Sequence, residues 1–458
     1  MSKSRRRLSP LQAVSLNMAM MVGVGSFTAI PLLVGELGGP ATWVAWALGA
    51  ALAVADGLVW CELAAAFPGS GGTYHFFDAV YGDAPVGRLL KFLFIWQFLL
   101  SGPLEIASGA IGLGQYAGHL FPRLDAAAWS VAPRWSGREA ITWTVTHGQI
   151  LAIALTLGLV ALAYRRIEVA GKLMVALWVG MLVTVLWTIV AGLSHASPSL
   201  ALGPPSPGAR SPLALGRALG LAMYCFLGYY QVCYLGDEVA EPSRMLPRSI
   251  LVSVVAVAAM NVAMNLGVLG VIPWDAMKKT TPVVSLMIDR LQGSRAAALM
   301  TLLILWTGGA GLFAALLSYS RIPYAAARAG HFFRFLARTH PTGGFPHYSL
   351  ILVGLISAVA CLVDLSTVID ALLASRILVQ FVAQIATIAV VRSRPGVRLP
   401  FRMRLYPLPA LLALFGWLWV LGTRPPAVLA FGLGSLVVGL VAFVVWERIK
   451  GSVEAIGS

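Results

Sequence analysis

Residues 18–33 read MAMMVGVGSFTAIPLL, an apolar run interrupted by Gly23 and Gly25 and followed by Pro31. The stretch around it, about 11–36, is long enough to cross a bilayer, because a helical crossing takes about 20 apolar residues. In hydrocarbon a helix must satisfy its own backbone groups. A glycine-broken segment is tolerated there only against protein or a water-filled cavity. Residues 221–238, LAMYCFLGYYQVCYLGDE, repeat the pattern with Gly228 among aromatics. Taken singly, small residues in a membrane helix equally mark close helix packing. Interruptions at matching places in two halves of a chain point instead to a transporter binding site.

The rest of the chain fits that setting. Of its 458 residues 59% are hydrophobic and only 11% charged, against about 25% charged in soluble domains. Spans are expected near 11–36, 41–67, 87–118, 146–165, 168–193, 214–240, 247–272, 296–320, 347–363, 366–391, 405–422 and 426–446. This is an all-α integral membrane domain of about twelve helices over 1–458, with no room for a soluble domain. The two broken spans each open a block of five, about 11–193 and 214–391, and the last two spans follow at about 405–446.

The net charge of +15 has a membrane explanation. With the N-terminus inside, inner segments hold 21 Lys and Arg and outer loops 10. That bias is the positive-inside rule with both termini cytoplasmic. A nucleic-acid footprint would be a dense basic patch on a soluble face, and the sequence has none. Lys3, Arg5, Arg6 and Arg7 precede the first span as in a signal peptide, but the span is long and carries the glycine motif, so it is expected to be retained. Cys61, Cys225, Cys233 and Cys361 sit in apolar spans without metal-ligand spacing, and buried thiols are expected rather than disulfides or a metal site. No cofactor motif is present.

The chemistry of the breaks follows from helix ends. Unwinding around Gly23–Ser26 frees amides at the start of a half-helix, where the dipole is positive and suits a carboxylate. Carbonyls freed at Met21–Val22 and near Phe226–Leu227 suit an ammonium group. Such a site offers both ends of a zwitterion a partner.

Four stretches resemble the amino acid–polyamine–organocation (APC) superfamily, specifically bacterial members similar to L-type amino acid transporters. They are Gly23-Val24-Gly25-Ser26-Phe27; WCELAAAFPGSGGTYHFF at Trp60–Phe77; GDEVAEPSRMLPRSI at Gly236–Ile250; and SRIPYAAARAG at Ser320–Gly330, followed by FPHYS at Phe345–Ser349, as an Arg-rich cytoplasmic loop. LPFRMRLYPLPALL at Leu399–Leu412 has the same look. The resemblance implies a LeuT-type fold of two inverted five-span repeats plus two helices, and alternating access around a midplane amino-acid site. It implies a carboxylate site at the backbone of Val24, Gly25 and Ser26 beside Gly23. It implies an ammonium site at Met21, Val22 and the Tyr224–Gly228 stretch, including Leu227 and Gly228. Tyr224 then stands where relatives carry a gating Phe. Phe226 and Tyr229 are candidates for the pocket wall, against the alternative of ordinary aromatic packing.

Charged groups inside spans cost about 2.5–3.5 kcal/mol each on insertion scales and need a partner or a role. Lys172, one turn into span 5, could simply snorkel to the interface. The resemblance implies a sharper role, an ammonium group in place of a sodium ion, with sodium-independent transport and protons as a candidate co-substrate. Glu62 is expected to pair with a loop Arg. Arg376 departs from the family pattern and has Asp370 or an acid on another span as candidate partners, and the roles of Arg376 and Glu105 stay open. All seven His lie in loops or span ends, which argues against a deep histidine relay. The outer loop near 119–146 has no Cys, so a disulfide-linked heavy subunit is not expected. No catalytic constellation or Gly-rich phosphate loop occurs, which argues against an enzyme or an ATP-driven pump. Two readings of the substrate remain: an amino acid, or a polyamine or monoamine recognised through an acid such as Glu105.

Overall fold

The computed structural model describes residues 8–39, 41–131, 143–165, 170–203, 211–278, 280–341 and 345–457. Among these, eight helices have the length and apolarity of a bilayer crossing, one bent pair forms a further span, and three shorter apolar helices complete twelve. Span 1 is Pro10–Met21 and Gly25–Leu37, bent by 43° at the break. Spans 2 to 5 are Thr42–Ala66, Pro85–Ala117, His147–Arg165 and Ala170–Ser194. Span 6 is an α-helix over Pro212–Phe226, a turn, and a 3-10 segment over Gln231–Glu238. Spans 7 to 9 are Pro242–Val271, Ser294–Arg328 and His347–Ala360. Span 10 runs from Leu365 to Ser393 around a π-helical turn at Ile377–Val382. Spans 11 and 12 are Leu408–Gly422 and Pro426–Gly457.

The ends of span 1 have local causes. Ser9 and Gln12 form a reciprocal cap, the Gln12 amide to Ser9 Oγ at 3.3 Å and the Ser9 amide to Gln12 Oε1 at 2.9 Å, so the helix starts at Pro10. Val22, at φ −94° and ψ 75°, leaves helical geometry, and the chain re-enters the helix at Gly25. Spans 2, 3, 6 and 10 are the most buried of the long single helices and span 12 is the least, with Phe431, Leu433, Val437, Val438 and Val441 exposed. An apolar exterior of this kind fits lipid.

Two expectations need correcting. The Arg-rich stretch Ser320–Gly330 is not a loop but helix through Arg328, because Ser320, Pro323, Ala326 and Ala327 still have protein to pack against. Beside the helices of this all-α fold, the loop between spans 3 and 4 holds a small ribbon in which Ala127–Val131 pairs antiparallel with Trp143–Thr146, and the Trp129 and Trp143 rings meet edge-on at 5.4 Å. The partner of Glu62 is Arg392, which is still within the helix of span 10. Between spans 2 and 3 the Ser-Gly-Gly-Thr-Tyr motif starts a short helix, Thr73–Tyr81. Near it Asp78, Asp83 and His331 gather three ligand-type atoms within 4.8 Å. Lys91 supplies a cation there, with Nζ 2.6 Å from Asp78, 3.4 Å from Asp83 and 3.3 Å from His331.

Candidate functional site

The break in span 1 opens onto a cavity of about 70 Å³. Its floor is the break itself, Met20, Met21, Gly23, Val24 and Gly25, and its walls are Glu105 and Gly109 of span 3, Tyr224 and Leu227 of span 6, and Gly308, Gly311 and Leu312 of span 8. The helix ending at Met21 turns its last carbonyls toward the break, and the helix starting at Gly25 turns its first amides toward it. Span 6 also ends its α-helix here, at Phe226. Two negative helix ends and one positive end therefore converge on one small space.

Glycine is required where the two broken spans meet. Gly228 has φ 106°, and a Cβ on it would lie 2.7 Å from Met20 Cβ, so its missing side chain lets span 6 turn against span 1. Asn17, one turn before the break, ties the elements together. Its Oδ1 accepts from the Val232 amide at 2.8 Å and its Nδ2 donates to Ser253 Oγ at 3.3 Å, joining spans 1, 6 and 7. The carbonyl thus satisfies a backbone amide in the irregular part of span 6, where the α-helical ladder has stopped.

Of the residues expected at the site, Met21, Gly23, Val24, Gly25, Tyr224 and Leu227 line the cavity. Tyr224 packs against Gly25, and its hydroxyl lies 2.9 Å from Ser108 Oγ. Val22, Ser26, Phe226, Gly228 and Tyr229 are not among the lining residues. Ser26 is buried beside the break with its hydroxyl unpartnered. Phe226 packs edge-on to Trp46 at 6.2 Å. Tyr229 donates to Asp56 of span 2, whose other oxygen accepts from Trp417 Nε1 of span 11 at 3.2 Å. Lys172 lies near the start of span 5, and its side chain is outside the described residues.

Glu105 was visible in the sequence as an intramembrane acid of open role, named as the acid that would recognise an amine substrate. It lines the cavity, and its Oε2 forms an ion pair with Arg376 Nη2 of span 10 at 2.8 Å. Arg376 also donates from Nη1 to the Tyr230 hydroxyl of span 6 at 3.1 Å. Asp370, the nearer candidate along the chain, pairs instead with Arg424 between spans 11 and 12. Gly308 and Gly311 were missed at the site. The only sequence signal for them is the small-residue run Gly308–Gly311 in span 8, which equally suits plain helix packing.

A helical membrane protein with two spans broken around one cavity has the architecture of a multi-pass transporter. The chain belongs to the amino acid permease family of the APC superfamily, whose model matches residues 8–445. It is 28% identical to an uncharacterized transporter of Mycobacterium tuberculosis, over 79% of this chain and 75% of that one. It is 23% identical to the serine/threonine exchanger SteT of Bacillus subtilis, over 97% of this chain and 97% of that one. It is 21% identical to the methylthioribose transporter of the same organism, over 98% of this chain and 95% of that one. The family is one of transporters rather than enzymes.

Proposed function

We propose that this protein moves amino acids across the cytoplasmic membrane by alternating access, as an exchanger or secondary active transporter that does not use sodium. The observation that carries this reading is the meeting of opposite helix ends at one cavity, Gly25 on one side and Met21 and Phe226 on the other. A carboxylate would lie at the amides of Gly25 and Ser26 beside Val24. The ammonium would take carbonyls at Met21, Val22 and the end of the span 6 helix near Leu227. Relatedness to an exchanger named for serine and threonine supports a small zwitterionic substrate.

The two five-span halves, about 11–193 and 214–391, would rock against each other around this point, with both termini in the cytoplasm. Tyr224 would gate one side, with Phe226, Gly228 and Tyr229 holding the broken part of span 6 in shape. Lys172 would present its ammonium group to the break of span 1 in place of a sodium ion. A desolvated lysine there would also be able to exchange a proton.

Glu105 in the cavity wall is the one observation that favours an amine lacking a carboxylate. Its pairing with Arg376 weakens that alternative, because the acid already has a counter-charge. Uptake into proteoliposomes of a labelled amino-acid panel, with and without internal substrate, sodium or a pH gradient, tests the proposal. Amino acids should compete, and the corresponding amines without a carboxylate should not. Competition by the amines alone would overturn the zwitterion site. Lys172→Ala is expected to lose most uptake while folding normally, and undiminished uptake would remove Lys172 from the mechanism.

A further inference from the structure

We propose that Arg376 sets the charge selectivity of the cavity by occupying Glu105, so that the site accepts uncharged side chains and turns away a second cation. This deepens the amino-acid reading above and rests on it.

Glu105 and Arg376 stand on different sides of the same boundary. Glu105 lines the cavity with 14% of its side chain exposed, whereas Arg376 is 2% exposed and is not among the cavity-lining residues. Arg376 instead borders a separate narrow gap with Phe94, Gln97, Ser101 and Gln380. The Tyr230 hydroxyl holds it from span 6. Arg376 immediately precedes the π-helical turn of span 10, and such turns often mark functional positions in helices.

The electrostatics follow from that placement. A carboxylate alone in a buried cavity would attract the ammonium or guanidinium of a basic side chain strongly, because little water screens it. With a guanidinium 2.8 Å away the pair is neutral. A cationic side chain would then have to displace a fixed partner or add an uncompensated charge to a buried site. Arginine stays protonated at any accessible pH, so the guanidinium is a permanent counter-charge for this acid. Lysine or arginine substrates are disfavoured, while a hydroxyl or short alkyl side chain meets no such penalty.

The test uses 2-aminobutyrate and 2,4-diaminobutyrate, which differ by little more than one ammonium group. Wild-type proteoliposomes are first loaded with a labelled neutral amino-acid panel, and the two compounds then compete against the best substrate. Wild type should prefer 2-aminobutyrate by at least about tenfold. Arg376→Gln, which leaves Glu105 facing the cavity alone, should bring the ratio to about one or reverse it. The double variant E105Q/R376Q has neither charge and should not gain diaminobutyrate. Equal competition by the two compounds in wild type, or gain of diaminobutyrate by the double variant, would overturn the role given to Arg376. If R376Q yields no monodisperse protein, E105Q decides: it leaves the Arg376 guanidinium unpaired and should widen the preference for 2-aminobutyrate, and an unchanged ratio would overturn the role. Failure of wild type to take up any amino acid would strike the transport reading itself, a distinguishable result.

Discussion

A Cβ at residue 25 would lie 2.8 Å from Cε1 of Tyr224, so the cavity at the break of span 1 exists because Gly25 has no side chain. Tyr224 is buried and its hydroxyl is engaged with Ser108, so its ring has little freedom to retreat. The residue that opens the helix and the residue that walls the cavity therefore constrain each other.

Gly25→Ala should lower uptake by about tenfold or more, since overpacking a tight contact costs about 1–3 kcal/mol. A methyl group at Gly309 would meet nothing within 4 Å, and this glycine is outside the cavity lining. Gly309→Ala should keep wild-type uptake. Initial rates in proteoliposomes check both, and equal loss at the two positions would refute a local effect at Gly25.

Glu62 accepts from Arg392 Nε and Nη2 at 2.6 Å each and from the Met403 amide at 2.8 Å. Glu62 is fully buried and Arg392 20% exposed. Removing one partner of a buried pair costs about 3–5 kcal/mol, and Glu62→Ala should fall near the lower end because water reaches the guanidinium. Thermal unfolding of the purified, solubilised protein should show a clear fall in Tm. An unchanged Tm would mean that this junction of spans 2 and 10 carries no stability.

Tyr229 and Trp417 hold Asp56 from spans 6 and 11. Tyr229→Phe leaves the buried carboxylate one donor short, at a cost of about 1–3 kcal/mol. Combined with Asp56→Asn, the loss should be clearly less than additive, with a coupling of at least about 0.5 kcal/mol. A thermal-unfolding double-mutant cycle measures it, and strict additivity would argue against the contact.

Asp364, outside the spans, caps span 10 by accepting from the Thr367 amide at 2.9 Å and from Ser366 Oγ at 2.6 Å. Partial burial pushes its carboxyl up, but these hydrogen bonds outweigh it and hold the group below its ordinary range. A folded-state pKa below the unfolded value gives stability that is present above about pH 4 and lost as pH falls through the folded value. Asp364→Ala should cost about 0.5–2 kcal/mol at pH 7. The gap from wild type should shrink below about pH 4, and a gap that persists unchanged in acid would contradict the cap.

Much of the site's backbone was legible along the chain, because glycines inside an apolar run have few uses in lipid. Gly23, Gly25 and Gly228 located the breaks of spans 1 and 6 without any partner being known. Side-chain partners were harder. Arg376 and Asp370 are six residues apart, about 600° around a helix, and so face different ways. Each found its counter-charge on a different span, Glu105 and Arg424. The aromatic wall shows the same limit: Tyr224 and Tyr229 both belong to the interrupted span, yet only Tyr224 faces the cavity, because the turn after Phe226 swings Tyr229 toward Asp56.

The amino-acid sequence by itself determined a membrane protein of about twelve spans with breaks in the first and sixth, since hydropathy and glycine act locally and need no neighbour. Only the tertiary structure decided which charges neutralise one another and which small residues of spans 3 and 8 complete the cavity. Those choices depend on which helix faces meet across the bundle, and no local pattern along one span encodes the face of another.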